Sequence, residues 1–226
     1  YMAVIGSLMY LMTATRPDLA HSMGVLSRFM ANPSYQHWRA AKQLLRYVQQ
    51  TKDIGLVFRK SQLDVHVYSD SDYAGDADNS KSTSGYIVML GSNCIAWSSR
   101  KQEVIAQSTT EAEYIGLANA TKELEWMKVI MQHLLPTFEV PDARLTFHVH
   151  GDNQGAIALA NDARFHTRTE HIRTNYHFVR DCVRRARMSP GYVATGDMVA
   201  DFMTKALGRQ KLQKFVAMLG LGQKPA

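Results

Sequence analysis

The spacing of the apolar residues changes near Ile54, and this change restricts the fold more than any other feature of the chain. Before it, apolar residues recur every three or four positions; after it, stretches with a period of two appear and then alternate with helical ones. Met2, Ile5, Leu8, Met9 and Met12 predict a first helix. Leu19, Met23, Leu26 and Met30 predict a second, with Pro17 near its start and Asn32-Pro33 as its stop. Ser34 is placed to cap a third helix that carries Trp38, Ala41, Leu44, Leu45 and Val48 inward. Arg39, Lys42 and Arg46 form a basic row on its outer face, at spacings of three and four.

Beyond Ile54, the alternation from Leu63 to Ser69, with Val65 and Val67 on one side, predicts a strand. Gly85 to Leu90 and Cys94 to Ser98 predict two more, joined by a turn over Gly91 to Asn93. A long helix from Thr109 to Leu134 has Ala112, Ile115, Ala118, Leu124, Met127 and Met131 as core positions, and Pro136 and Pro141 follow it. Leu145 to Val149 reads as a fourth strand, Asn153 to Ala160 as a short helix, Thr169 to Arg187 as a longer one, and Tyr192-Val193 as a fifth strand. Asp197 to Leu207 opens the closing helical part. Three strands followed by helices alternating with single strands predict an α/β fold, a mixed sheet flanked by helices.

At 226 residues, 46% hydrophobic and 20% charged, the chain has the composition of a globular protein and excludes disordered, collagen-like and coiled-coil classes. Its longest apolar run, Met2 to Met12, is interrupted by Gly6 and Ser7 and is shorter than the roughly 20 residues of a membrane span. We expect no membrane partner. The opening Tyr1, without an initiator Met or a secretory leader, reads as a fragment of something longer. Cys94 and Cys182 suit buried thiols in a reducing compartment.

The net charge of +6 hides a cancellation. Residues 1–60 carry a net +6, residues 61–163 a net −8, and residues 164–214 a net +7. An acidic centre between basic flanks suits a protein that grips a phosphate backbone while holding cations at one point. Uneven solvated faces would give the same totals.

The acidic residues fall at element boundaries. Asp70 ends the first strand, Glu113 lies in the first turns of the long helix, Asp152 sits between the fourth strand and the next helix, and Asp201 lies on the last helical segment. Carboxylates from four elements can converge at one edge of a sheet; each is equally a common solvated surface acid. The run from Asp70 to Asp78 copies part of a calcium loop, but Ala74 and Lys81 replace its fifth and twelfth ligands, so calcium is rejected. His166, His171, His177 and Cys182 lack the close pairs of zinc sites. No nucleophile elbow and no glycine-rich phosphate loop is present.

The blocks YSDSDYAGD at 68–76, KSTSGYIVML at 81–90, STTEAEYIGLA at 108–118, GDNQGAIALA at 151–160, HTRTEHIRTNYHFVR at 166–180 and VADFMTKAL at 199–207 resemble, in order, the ribonuclease H domain of copia-type retrotransposon Pol polyproteins. IGSLMYLMTATRPDL at 5–19, LSRFM at 26–30 and HWRAAKQLLRYV at 37–48 are similar to the thumb-like, C-terminal part of reverse transcriptase that precedes it. The resemblance implies a ribonuclease H-like fold with a mixed five-stranded sheet, preceded by a small helical segment. It implies three divisions: residues 1–60 as the thumb-like segment, 61–210 as the nuclease domain and 211–226 as a helical tail.

By the same resemblance, the catalytic and metal-binding carboxylates are Asp70, Glu113, Asp152 and Asp201. Glu113-Tyr-Ile-Gly116 fits the family's helix pattern and Glu111 does not, so Glu111 is expected to serve the helix N-terminus. Asp201, rather than Asp197, matches the pattern A-D-x-x-T-K. The implied cofactor is Mg²⁺, two ions, with Mn²⁺ as a substitute. Hard oxygen donors and no sulfur or imidazole suit that ion, and two such ions activate a water and meet the leaving oxygen.

The implied substrate is an RNA/DNA hybrid, whose RNA strand is told from DNA by its 2′-hydroxyls. Ser108, Thr109 and Thr110, with Asn153 and Gln154, match positions where relatives touch the hybrid. Arg180, Arg184 and Arg187 share one helix face and are candidates for the backbone. The loop Tyr192 to Met198 has no histidine, where many ribonucleases H carry one. The implied partner is the polymerase part of the same polyprotein, and the implied location a cytoplasmic particle or the nucleus. A non-catalytic hybrid-binding remnant and an integrase-like strand transferase are the alternatives.

Overall fold

Residues 1–138, 146–161, 172–185 and 188–223 are described by a computed structural model of the chain. The helices before Ile54 form as the periodicity predicts: α1 (Met2–Ala14), α2 (Ala20–Leu26), entered through a tight helical turn at Pro17–Leu19, and α3 (Tyr35–Gln50). Ser34 caps α3 by a reciprocal arrangement. Its hydroxyl accepts the His37 N–H, and its own N–H donates to His37 Nδ1 at 3.0 Å.

The main sheet comprises β2 (Val65–Ser71), β3 (Thr83–Leu90), β4 (Asn93–Lys101), β5 (Phe147–Gly151) and β6 (Ser189–Tyr192), in the order β4-β3-β2-β5-β6. β2, β3 and β4 form an antiparallel meander, while β5 joins β2 and β6 joins β5 in parallel. This mixed five-stranded arrangement is the ribonuclease H-like fold that the sequence implied. β3 and β4 extend beyond the expected limits, to Thr83 and Lys101. Their ends escape an apolar pattern because they serve a polar network: Gln102 Nε2 donates to Ser84 Oγ (2.7 Å) and to the Ala112 carbonyl (2.9 Å).

The pleat sorts the strand residues into two cores. Val65, Val67, Val88 and Val149 meet α4 (Thr109–Leu134), α5 (Gln154–Asn161) and α6 (Arg173–Arg184) on one face, packing with Ala118, Leu124, Ala156, Tyr176 and Val179. Ile87, Met89 and Cys94 point to the other face, where α7 (Asp201–Thr204) and α8 (Arg209–Met218) supply Phe202, Met203 and Phe215. Cys94 and Cys182 are both buried.

Helices α1–α3 enclose a third core around Ile5, Leu8, Leu19, Met23 and Ala41. They are tied to the sheet. Trp97 Nε1 donates to the Met12 carbonyl at 3.0 Å, Arg28 pairs with Asp76 at 2.9 Å, and Ala20 belongs to the second core. A short antiparallel ribbon adds a further tie: β1 (Ile54–Leu56) pairs with β7 (Leu221–Gln223). Of the stretch read as a helical tail over 211–226, the described residues are the remainder of a helix that starts at Arg209 and ends at Met218, followed by the strand Leu221–Gln223. Among the described residues, no helix is long and apolar enough to cross a membrane.

Candidate metal centre

Asp70, Glu113 and Asp152 come from different elements and offer ligand atoms that all lie within 4.8 Å of one another. Asp70 sits near the end of β2, and Asp152 follows directly on the parallel neighbour β5. Glu113 reaches them from the first turns of α4, and its Oε2 accepts the Ser71 N–H at 3.1 Å. That approach needs Gly116, because a Cβ there would run into Ser71 Oγ. Ser108 caps α4 by accepting the Glu111 N–H at 3.2 Å, while Glu111 Oε2 accepts the Gln107 N–H at 2.9 Å. Glu111 thus serves the helix start and Glu113 faces the other carboxylates.

Asp201 stands apart from the group of three. Its side chain is 2% exposed, and its oxygens face Lys205 Nζ at 2.8 Å and Lys211 Nζ. Lys205 links it to Asp70, whose Oδ1 lies 3.2 Å from the same ammonium. Thr204 donates its hydroxyl to Asp70 Oδ2. Thr195 donates to Asp152 Oδ2 at 2.8 Å.

Burial raises the Asp70 carboxyl; Lys205 and Thr204 act against that, and Asp201 and Asp152 add to it. Burial, then the Asp70 and Asp152 charges, push Glu113 up to about 9. Burial works against the Lys205 ammonium, but Asp70 and Asp201 outweigh it and hold the group above its ordinary value. Carboxylates crowded in this way favour any added positive charge. Among the described residues the donors are hard oxygens, without thiol or imidazole, and this set fits Mg²⁺ or Mn²⁺.

The expected substrate contacts flank this cluster in part. Ser108 and Thr109 are exposed at the start of α4, and Thr110 is half-buried beside Gly155. Asn153 caps α5, its Oδ1 accepting the Ala156 N–H at 2.9 Å, and Gln154 is exposed beside it. Arg180 and Arg184 lie on α6 and line one groove with Asn161. Arg180 Nη1 donates to the Tyr176 hydroxyl at 3.2 Å, and exposed Arg184 pairs with Asp181 at 3.0 Å. Arg187, like His166 and His171, lies outside the described residues.

The sequence reading missed Thr195, Thr204, Lys205 and Lys211. Thr204 and Lys205 were within reach, since they are the T-K of the pattern that selected Asp201. Thr195 and Lys211 carry no local signal; only the folded chain shows what they touch.

No protein-family model matches the chain. Over all 226 residues it is 40% identical to the retrovirus-related Pol polyprotein from transposon RE2 of Arabidopsis thaliana, of which it spans 15%. It is 38% identical over 221 residues, 98% of the chain, to the Pol polyprotein from transposon TNT 1-94 of Nicotiana tabacum, of which it spans 16%. A stretch of 130 residues, 57% of the chain, is 47% identical to secreted RxLR effector protein 161 of Plasmopara viticola and spans 92% of that protein. Among solved structures, the ribonuclease H1 of Halobacterium salinarum aligns with 67% of this chain and 98% of its own, at 18% identity and a TM-score of 0.41. LC11-RNase H1, isolated from compost, aligns with 67% and 97% respectively, at 13% identity and a TM-score of 0.46.

Proposed function

Because the chain belongs to the retrovirus-related Pol polyproteins of copia-type transposons, we propose that it is their ribonuclease H, a metal-dependent endonuclease that hydrolyses the RNA strand of RNA/DNA hybrids. One observation carries this reading: Asp70, Glu113 and Asp152 converge within 4.8 Å at one end of the β2–β5 pair. The ribonuclease H-like strand order supports it.

In this reading Asp70, Glu113 and Asp152 hold the divalent cations, with Asp201 as the fourth carboxylate beside Asp70. Bound Mg²⁺, or Mn²⁺ in its place, supplies a more acidic water and positive charge for the leaving oxygen. Thr204 and Lys205 fix Asp70, and Ser71 fixes Glu113 through its N–H. Ser108, Thr109, Thr110, Asn153 and Gln154 meet the RNA sugar edge. Arg180, Arg184 and Arg187 hold the backbone without reading bases. The family membership supports work in reverse transcription beside the polymerase part of the polyprotein; the location proposed with it is a cytoplasmic particle or the nucleus.

The test uses the purified chain with labelled RNA/DNA hybrid, single-stranded RNA and DNA duplex, in Mg²⁺ and in chelator. The RNA of the hybrid is cut in Mg²⁺ alone, and the other substrates survive. Hybrid bound but left intact identifies a non-catalytic remnant, and nicked DNA duplex identifies a strand transferase. Either result rejects the proposal.

A further inference from the structure

Asp152 sits just past the end of β5, half-buried, where the chain has left the ladder that would fix its orientation. What fixes it comes from the loop after β6. The Val193 N–H donates to the Gly151 carbonyl at 2.9 Å, so the loop leaves the sheet one residue from Asp152. It then closes a tight turn, with the Asp197 N–H on the Ala194 carbonyl at 2.8 Å, and inside this turn stands Thr195. On the far side, Lys214 of α8 donates to the Gly196 carbonyl at 2.8 Å and pairs with Asp197 at 2.7 Å. The loop is therefore pinned to the sheet at one end and to α8 at the other. The Thr195 hydroxyl between these pins donates to Asp152 Oδ2 at 2.8 Å.

We propose that Thr195 is a positioning residue, whose hydroxyl holds the Asp152 carboxylate turned toward Asp70 and Glu113 for divalent-cation binding; this rests on the ribonuclease reading above. A carboxylate with one oxygen engaged by a fixed donor loses most of its freedom to rotate. It therefore meets a cation with less ordering cost. A threonine hydroxyl suits the task because it adds no positive charge to compete with the cation, as a protonated imidazole would. Its methyl group and the turn fix the hydroxyl's own direction. Thr195 is exposed, so its side chain contributes to no core, and its replacement leaves the fold intact.

The test compares wild type with Thr195→Val, which keeps the shape and removes the hydroxyl, and Thr195→Ser, which restores it. Mn²⁺ binding is measured by calorimetry without nucleic acid, and cleavage of labelled hybrid is followed as a function of Mg²⁺. Thr195→Val is expected to bind Mn²⁺ about tenfold more weakly and to need about tenfold more Mg²⁺ for half-maximal cleavage, the scale typical of a lost outer-shell partner. Its unfolding midpoint in chelator and its KM for hybrid at saturating Mg²⁺ stay at wild-type values, and Thr195→Ser recovers the affinity. Wild-type Mn²⁺ affinity in Thr195→Val, or a Thr195→Ser as defective as Thr195→Val, overturns the positioning role alone. A wild-type chain that neither binds Mn²⁺ nor cuts hybrid overturns the ribonuclease reading, and this inference falls with it.

Discussion

Gly85 stands directly across the antiparallel ladder from Asp70, and the space a side chain would fill there is taken by Met203 and Thr204 of α7. The pairing explains how a four-residue helix comes to lie against a strand end. A Cβ at position 85 runs into the Cβ of Met203, so α7 has to move. Gly85→Ala is expected to cost about 1–3 kcal/mol, as overpacking does, and to slow cleavage by displacing Thr204 from Asp70. Urea denaturation measures the first effect. Gly55→Ala is the control, because nothing lies within 4 Å of its Cβ position.

Asp152→Asn keeps the size of the side chain and removes its charge. On the proposed function, cleavage of hybrid is expected to fall to background while hybrid binding by gel shift stays at the wild-type level, because affinity for a duplex comes mainly from phosphate contacts. Retained cleavage would remove Asp152 from the proposed metal centre.

Glu113 sets a pH dependence for the protein in chelator. Folded, it keeps its proton up to about 9; unfolded, it loses it near 4.5. Between those values the folded chain binds more protons, so stability falls as pH rises through the window. The melting midpoint in chelator is expected to be highest near the acid end of that window and to decline toward the alkaline end. Cation binding near neutral pH should expel a proton, which calorimetry in buffers of differing ionisation enthalpy detects. A midpoint that climbs with pH across the window contradicts this.

Lys205 neutralises two carboxylates at once. Lys205→Met leaves Asp70 and Asp201, whose side chains are 0% and 2% exposed, without that ammonium. The expected loss in chelator is about 1–3 kcal/mol, less than for a fully buried pair because solvent screens the half-exposed lysine. Mg²⁺ should restore part of it, since an added cation supplies the missing charge. Urea titrations with and without Mg²⁺ decide the matter.

Arg184→Ala tests the grip on the backbone. Hybrid affinity should weaken evenly across sequences, and the slope of log affinity against log salt should shrink by about one, as for one lost phosphate contact. An unchanged slope assigns Arg184 to its pairing with Asp181 alone.

The parts legible in the sequence are those that local spacing encodes. The alternation around Val65 and Val67 and the long helix from Thr109 to Leu134 form as read, and three helices form before Ile54, because each buries a stripe with its own period; there Met2 and Leu45, read as part of those stripes, are exposed, and the second helix ends at Leu26 in a tighter turn over Ser27–Phe29. The convergence of Asp70, Glu113 and Asp152 was left open by their positions at strand ends and helix starts, where a solvated acid is as common; the family resemblance picked these three out, and the fold brings them together. The β1–β7 pairing was not, since Ile54-Gly55-Leu56 and Leu221-Gly222-Gln223 are too short to show a period and lie far apart in sequence. Neither was the stacking of His66 with His148 and His150, at ring distances of 4.9 and 5.2 Å, which follows from the parallel register of β2 on β5. Asp201 was correctly located on a helical segment, but its clasp by Lys205 and Lys211 depends on how α7 and α8 fold over the sheet.

The ribbon of β1 and β7 acts as a latch. It joins the residues that leave α3 to those that follow α8, and Leu56 and Leu221 drive its closed form into the core shared with the sheet. A single cut in the connector between β1 and β2 would sever the backbone without releasing α1–α3, because the latch and the shared core still hold both pieces. Helices α1–α3 and the sheet with its flanking helices are therefore expected to melt as one cooperative unit, not as a bead on a tether.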